Sequence, residues 1–260
     1  MTSVTGRVKE FKQPQGGYLS IKDFNIVELD DTRILNKTEN IHASLIGMAV
    51  DYLTRFMNGA SIIEAFKISL LGARKAEEFE IKNAENEILS YVLNIKGLDD
   101  ESIINACKAV SFDVWIRNFI SAMTTKQAKD INPDLETIGN IRILVERSIS
   151  FWKEYGPIKI NGFGFDKKAR TEIITSGDGD YLTEDTMWDF KVSKSEPTTK
   201  DTLQLLIYYI MGLHSGEDYY KNIKKIGFYN PRLNKVYTYE VNKLSEETIK
   251  EIEKDVIGYK

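Results

Sequence analysis

The chain has 260 residues, 42% hydrophobic and 28% charged, the balance of a folded protein able to bury a substantial core in one large domain or two small ones. Its formal net charge of −4 excludes a general electrostatic attraction to nucleic acid, but not a local basic groove or a site whose metal carries the positive charge. The single cysteine, Cys107, excludes a disulfide framework and any four-cysteine zinc or iron–sulfur site, and its apolar context, IINACKAVSF, marks it as a small buried hydrophobe.

Residues 1–16 are polar and glycine-containing, and read as frayed. The start has no apolar core like that of a signal peptide, and no apolar run reaches the roughly 20 residues of a membrane span, so a cytoplasmic location and no membrane partner are expected. GYLSIKDFNIVELDD holds one or two short strands. From Ser44 the pattern turns helical: SLIGMAVDYLTRFM sets Leu45, Met48, Leu53 and Phe56 near one face, and SIIEAFKISLLGARKAEEF opens on the Ser61–Glu64 capping box. DDESIINACKAVSFDVWIRNFISAM is another helix-length apolar segment. NPDLETIGNIRILVERSISFWKEYG starts with Asn132 as cap and Pro133 at the first helical position, and stops at Gly156.

After Pro157 the period shifts towards two. IKINGFGF, RTEIITSGDGDYL and MWDFKVS read as successive strands, with TEDT as a turn. A helix, TKDTLQLLIYYIMGLHSG, leads to the hairpin KKIGFYN–PRLN–KVYTYEV and to a closing helix capped by Ser245. The order predicts an α/β fold, a mixed β-sheet core flanked by helices with an N-terminal helical lobe, divided as an extension over 1–40, the lobe over 41–156 and the core over 157–260.

The chemistry concentrates in GDGDYLTEDTMWDFKVSK, residues 177–194. Residues two apart on a strand share a face, so Asp189 and Lys191 point one way and Trp188, Phe190 and Val192 the other. If GDGDYL pairs with WDFKV across the turn, Asp180 approaches Asp189. Two close carboxylates ionise together only with a cation between them, and oxygen ligands of this kind suit Mg²⁺ or Mn²⁺. Glu184 and Asp185, in the turn, read as solvated. Gly177 and Gly179 free the backbone beside the carboxylates, and Gln204 and Tyr208, four apart, share one face of the next helix.

Together, GDGDYL…MWDFKVS…TLQLLIYYIMG resembles the PD-(D/E)XK nuclease superfamily, and within it the RecB-like exonucleases, over roughly residues 157–242. The resemblance implies a restriction-endonuclease-like core, Asp180 and Asp189 as metal ligands, Lys191 as the catalytic lysine, and Gln204 and Tyr208 facing the site or the nucleic-acid backbone. Asp178 matches no position of the pattern. RecB-like relatives place a His or Glu on an upstream helix as a further ligand; here Asp51 and Glu146 are rival candidates. The iron–sulfur cluster of many relatives is excluded by the cysteine count, and His42 and His214 read as surface or capping residues.

Lys221, Lys224, Lys225, Arg232 and Lys235, interleaved with Tyr219, Tyr220, Phe228 and Tyr229, read first as an edge hairpin guarded by lysines, with a strip that grips phosphates and stacks bases as the alternative. Lys194 and Lys200 flank the acidic hairpin. The expected activity is Mg²⁺-dependent hydrolysis of phosphodiester bonds, with DNA as the partner and nucleic-acid contacts at Lys194, Lys200, Lys224, Lys225 and Arg232. The alternatives are a catalytically silent nuclease-fold binding protein and a metal-dependent phosphoesterase acting on nucleotides; a homo-oligomer is compatible with all three.

Overall fold

The structure is a computed structural model and describes residues 2–260. The chain forms two compact units, Met1–Asp30 with Trp152–Lys260, and Asp31–Phe151. The first thirty residues therefore belong with the C-terminal part and are no separate extension. Nor is the start frayed. Thr2–Ser3 pairs in parallel with Ile174–Ser176, and helix α1, Val4–Glu10, begins where the Ser3 hydroxyl accepts the Gly6 N–H at 3.1 Å. Val4 and Val8 are buried in one core with Leu19 and Phe24, and the Arg7 guanidinium donates to the carbonyls of Asp255 and Val256 at 2.6 and 2.8 Å. These apolar residues are too sparse to show a period, because the partners that bury them lie far away in sequence.

Six strands form the sheet: β1 Asn25–Glu28, β2 Ile160–Phe163, β3 Gly179–Leu182, β4 Thr186–Phe190, β5 Lys225–Asn230 and β6 Lys235–Glu240. Their spatial order is β1-β6-β5-β4-β3-β2. Only the β4–β5 pair is parallel. A parallel pair needs a long crossover, and helix α2, Thr199–His214, provides it. One face of the sheet carries Leu182, Met187, Ile226 and Phe228 into a core shared with Leu203, Leu206, Ile207 and Ile210 of α2. The opposite face carries Tyr181 and Trp188, whose rings lie 4.7 and 6.5 Å from that of Trp152. Strand β4 is thus central and covered on both sides, and Thr186 through Asp189 are all buried.

The second unit is helical, as expected. Its core includes Ile46, Val50, Leu53, Phe66, Ile103, Cys107, Ile141 and Leu144. Two local expectations change. The segment over 99–123 runs as Asp100–Val110, tightens through a 3₁₀ turn at Ser111–Asp113, resumes as Val114–Arg117, and breaks at Asn118, whose backbone turns extended (φ −155°) and whose side chain accepts the Ser121 N–H to start Phe119–Ala122. The helix Leu135–Tyr155 is capped by Asp134, which accepts the Thr137 N–H at 2.8 Å; the Asn132 carbonyl accepts from the Asn40 side chain instead. His42 caps Ala43–Met57, as read, and burial pushes the Cys107 thiol up to about 12.

Candidate functional site

The antiparallel register of β3 and β4 pairs Leu182 with Met187 and Tyr181 with Trp188, and Asp180 and Asp189 are the next residues beyond these pairs. By alternation both carboxylates lie on the α2 face, with Leu182 and Met187. Asp180 Oδ2 accepts the Phe190 N–H at 2.8 Å, so the carboxylate takes a backbone donor just past the end of the ladder and is fixed there. Asp189, 5% exposed, sits opposite Phe228 of β5 and is enclosed between two strands.

Lys191 follows at the end of β4, its N–H donating to the Tyr229 carbonyl at 2.9 Å. Its ammonium lies 3.0 Å from Asp189 Oδ2 and 3.3 Å from Asp201 Oδ1, and donates to Gln204 Oε1 at 3.2 Å. Gln204 Nε2 then donates to the Tyr208 hydroxyl at 2.9 Å. All five residues expected from the sequence, Asp180, Asp189, Lys191, Gln204 and Tyr208, therefore meet at one place. Burial alone would lower the Lys191 pKa, but the charges of Asp189, Asp201 and Asp180 outweigh it and hold the ammonium above the ordinary lysine value. Burial, then the Asp189 charge, pushes the Tyr208 phenol well above its usual range.

Asp201 is the member that sequence reasoning missed. It accepts the N–H and hydroxyl of Thr198, each at 2.7 Å, and so closes the capping box of α2. Burial would raise its pKa, but Lys191 and the Thr198 donors win and hold it below the ordinary value. The Thr198-x-x-Asp201 spacing was a readable signal for the cap; the contact with Lys191 was not.

The glycines serve space and not backbone freedom. A Cβ at Gly179 would lie 1.9 Å from Phe163 Cζ, and one at Gly177 would lie 2.6 Å from Val4 Cγ2. Asp178, just before β3, is exposed.

The basic residues divide. Lys194 and Lys200 are exposed, in the β4–α2 connection and the first turn of α2. Arg232 is in the β5–β6 turn, tied to that connection because Asn230 accepts the Arg232 N–H at 3.0 Å and donates to the Ser193 carbonyl at 2.9 Å. All three lie at the end of the parallel pair where Lys191 emerges. Lys224 and Lys225 lie at the other end: their N–H groups donate to the Asp185 carbonyl at 2.7 and 3.0 Å, and Lys225 pairs with Thr186, roughly 10 Å back along β4 from Asp189 at ~3.3 Å per residue. The alternative of a base-stacking strip does not form, since Tyr220, Phe228 and Tyr229 are buried. Lys221 is paired with Asp218 and Lys235 with Glu196.

The rival upstream ligands, Asp51 and Glu146, belong to the helical unit. Asp51 is held by Arg55 at 3.0 Å, and Glu146 accepts from Arg33. Among the described residues no group of three or more His, Cys, Asp or Glu side chains is arranged to hold a metal. The donors present nonetheless suit Mg²⁺ or Mn²⁺: both are carboxylate oxygens, and Mg²⁺ is commonly bound by one or two carboxylates, with water and substrate oxygens completing its shell.

The chain matches no family model, no curated protein and no solved structure. No helix among the described residues is long and apolar enough to cross a membrane.

Proposed function

We propose that the protein is a metal-dependent nuclease that hydrolyses phosphodiester bonds, with DNA as its substrate. The observation that carries this reading is that Asp180 and Asp189 lie on one face of paired strands, with the Lys191 ammonium 3.0 Å from Asp189 Oδ2. Two carboxylates on one face, one of them 5% exposed, repel each other unless a cation lies with them, and the Lys191 ammonium offsets only part of that charge.

Asp180 and Asp189 would hold the cation, which supplies a water of lowered pKa and charge to oppose the crowded phosphate. The chain's own residues supply the rest. The Phe190 N–H fixes Asp180, and Gln204 steadies the Lys191 ammonium. Lys191, whose ammonium is paired with Asp189 and Asp201, offers positive charge and hydrogen bonds to a phosphate oxygen. The Tyr208 hydroxyl accepts from Gln204 Nε2 and keeps Gln204 turned towards Lys191. Lys194, Lys200 and Arg232 lie where they can guide the sugar–phosphate backbone to that end of the sheet.

A panel of single-stranded DNA, duplex DNA, RNA and nucleotides, assayed with Mg²⁺ or Mn²⁺, tests the reading. Cleavage of DNA is expected, abolished by excess chelator. Asp180→Asn, Asp189→Asn and Lys191→Ala should each lower it at least ~100-fold, as loss of a catalytic group does, with the fold retained by circular dichroism. Full activity in any of these variants, or in chelator, overturns the assignment. Turnover confined to nucleotides would make the protein a phosphoesterase, and metal-indifferent binding without cleavage would make it a silent scaffold.

A further inference from the structure

The geometry points to Asp201 as a positioning residue that receives the Lys191 ammonium when Asp189 takes a cation, a role that rests on the nuclease reading above. The ammonium lies between two carboxylates, 3.0 Å from Asp189 Oδ2 and 3.3 Å from Asp201 Oδ1. Metal and ammonium compete for Asp189, because both are cations seeking the same oxygen. If Asp189 were the only anion within reach, metal binding would leave a largely buried ammonium without a counter-charge, and that penalty would oppose the metal. Asp201 removes the penalty. It is already oriented by the Thr198 N–H and hydroxyl at 2.7 Å each, and Gln204 Oε1, at 3.2 Å from Lys191 Nζ, serves as a neutral second acceptor. A short shift of Nζ from Asp189 towards Asp201 frees the Asp189 oxygen and keeps the charge paired. The N-terminal turn of α2 thus ties the helix cap to the readiness of the metal site.

Two roles must be separated, because Asp201 also caps a helix. Asp201→Asn keeps an oxygen for the Thr198 N–H but removes the charge beside Lys191. Thr198→Ala removes the hydroxyl half of the cap but keeps the Asp201 charge and the Thr198 N–H that orients it. The measurement is Mn²⁺ affinity by titration calorimetry on the full chain, with thermal melting as a check on folding. Asp201→Asn is expected to weaken Mn²⁺ binding about tenfold or more, the usual effect of losing an outer partner of a metal site. Thr198→Ala is expected to lower the melting temperature and leave Mn²⁺ affinity within about twofold of wild type. Lys191→Ala decides the route. With the ammonium gone there is nothing for Asp201 to receive, so Asp201→Asn in the Lys191→Ala background should change affinity by less than about twofold, the sign of coupling in a double-mutant cycle.

Additive losses in the two backgrounds would overturn the inference, because Asp201 would then act on the site by its charge alone. So would an equal loss in Thr198→Ala, which would make the effect one of helix capping. Wild-type protein that binds no Mn²⁺ at all would remove the nuclease reading itself, and the inference with it.

Discussion

Gly179 shows how narrowly the acidic pair is placed. Its missing side chain is filled by the Phe163 ring, which a Cβ would meet at 1.9 Å, and Phe163 packs edge-on to Tyr208 with centroids 6.0 Å apart. A methyl group there must push β3 off β2 or drive Phe163 into Tyr208, so Asp180, the next residue, moves with it. Gly179→Ala should destabilise the fold by about 1–3 kcal/mol, the range for overpacking a filled core, seen as a lower Tm, and should reduce cleavage in protein that remains folded. An unchanged melting temperature would mean that the strands have room the structure does not contain. At this scale the sequence was informative wherever period two applied: Asp180, Asp189 and Lys191 share a face because alternation makes them do so. It misled over the glycines, since a residue's emptiness can serve a ring sixteen positions away, and it passed over Asp201, whose cap is local but whose ion pair is not.

Among the elements, α1 departs furthest from expectation. VTGRVKE has two apolar residues in seven, too few to announce a packed helix, yet Val4 and Val8 are 0% and 6% exposed. Val4 Cγ2 lies where a Gly177 side chain would be, so this short helix walls the approach to β3. Val8→Ala should cost about 1–2 kcal/mol, from two buried methyl groups at ~0.8 kcal/mol each plus part of a cavity; a frayed segment would show no change in a urea titration, which makes the measurement decisive. Elsewhere the elements were legible because their signals are local. The strands of 157–190 and 224–241 alternate, and α2 is apolar on nearly all sides because it is buried on nearly all sides. The helix read over 99–123 fails at Asn118, whose extended backbone and side-chain bond to the Ser121 N–H start a new turn. The strand read within GYLSIKDFNIVELDD is present as β1, and β6 gives it its register although Ile26 and Val27 are exposed.

For the molecule as a whole, two differently built units imply two different sensitivities to acid. The sheet unit hides its opposed charges at the site. The helical unit gathers Asp31, Arg33, Glu146 and Arg147 into an ion cluster, with Asp31 bonded to Arg33 at 2.6 Å and to Arg147 at 3.2 Å. The Arg33 hydrogen bonds, helped by Arg147 and opposed by burial, hold the Asp31 carboxyl well below the usual carboxylate range. A lowered folded pKa means that the unfolded chain binds the proton first. The stability Asp31 contributes is therefore fully present above its unfolded value near ~4 and is lost as the pH falls below that towards the folded value. Asp31→Asn should lower stability at pH 7 by about 1.5–3 kcal/mol, the range for hydrogen bonds to charged groups, and the gap between wild type and variant should close as the pH is taken from 5 down towards 2. Chemical denaturation followed across that range checks the sign. A gap that stays constant would mean that Asp31 holds the lobe by shape and not by charge, and Glu146, which shares Arg33 with it, would then be free of the duty that now occupies it.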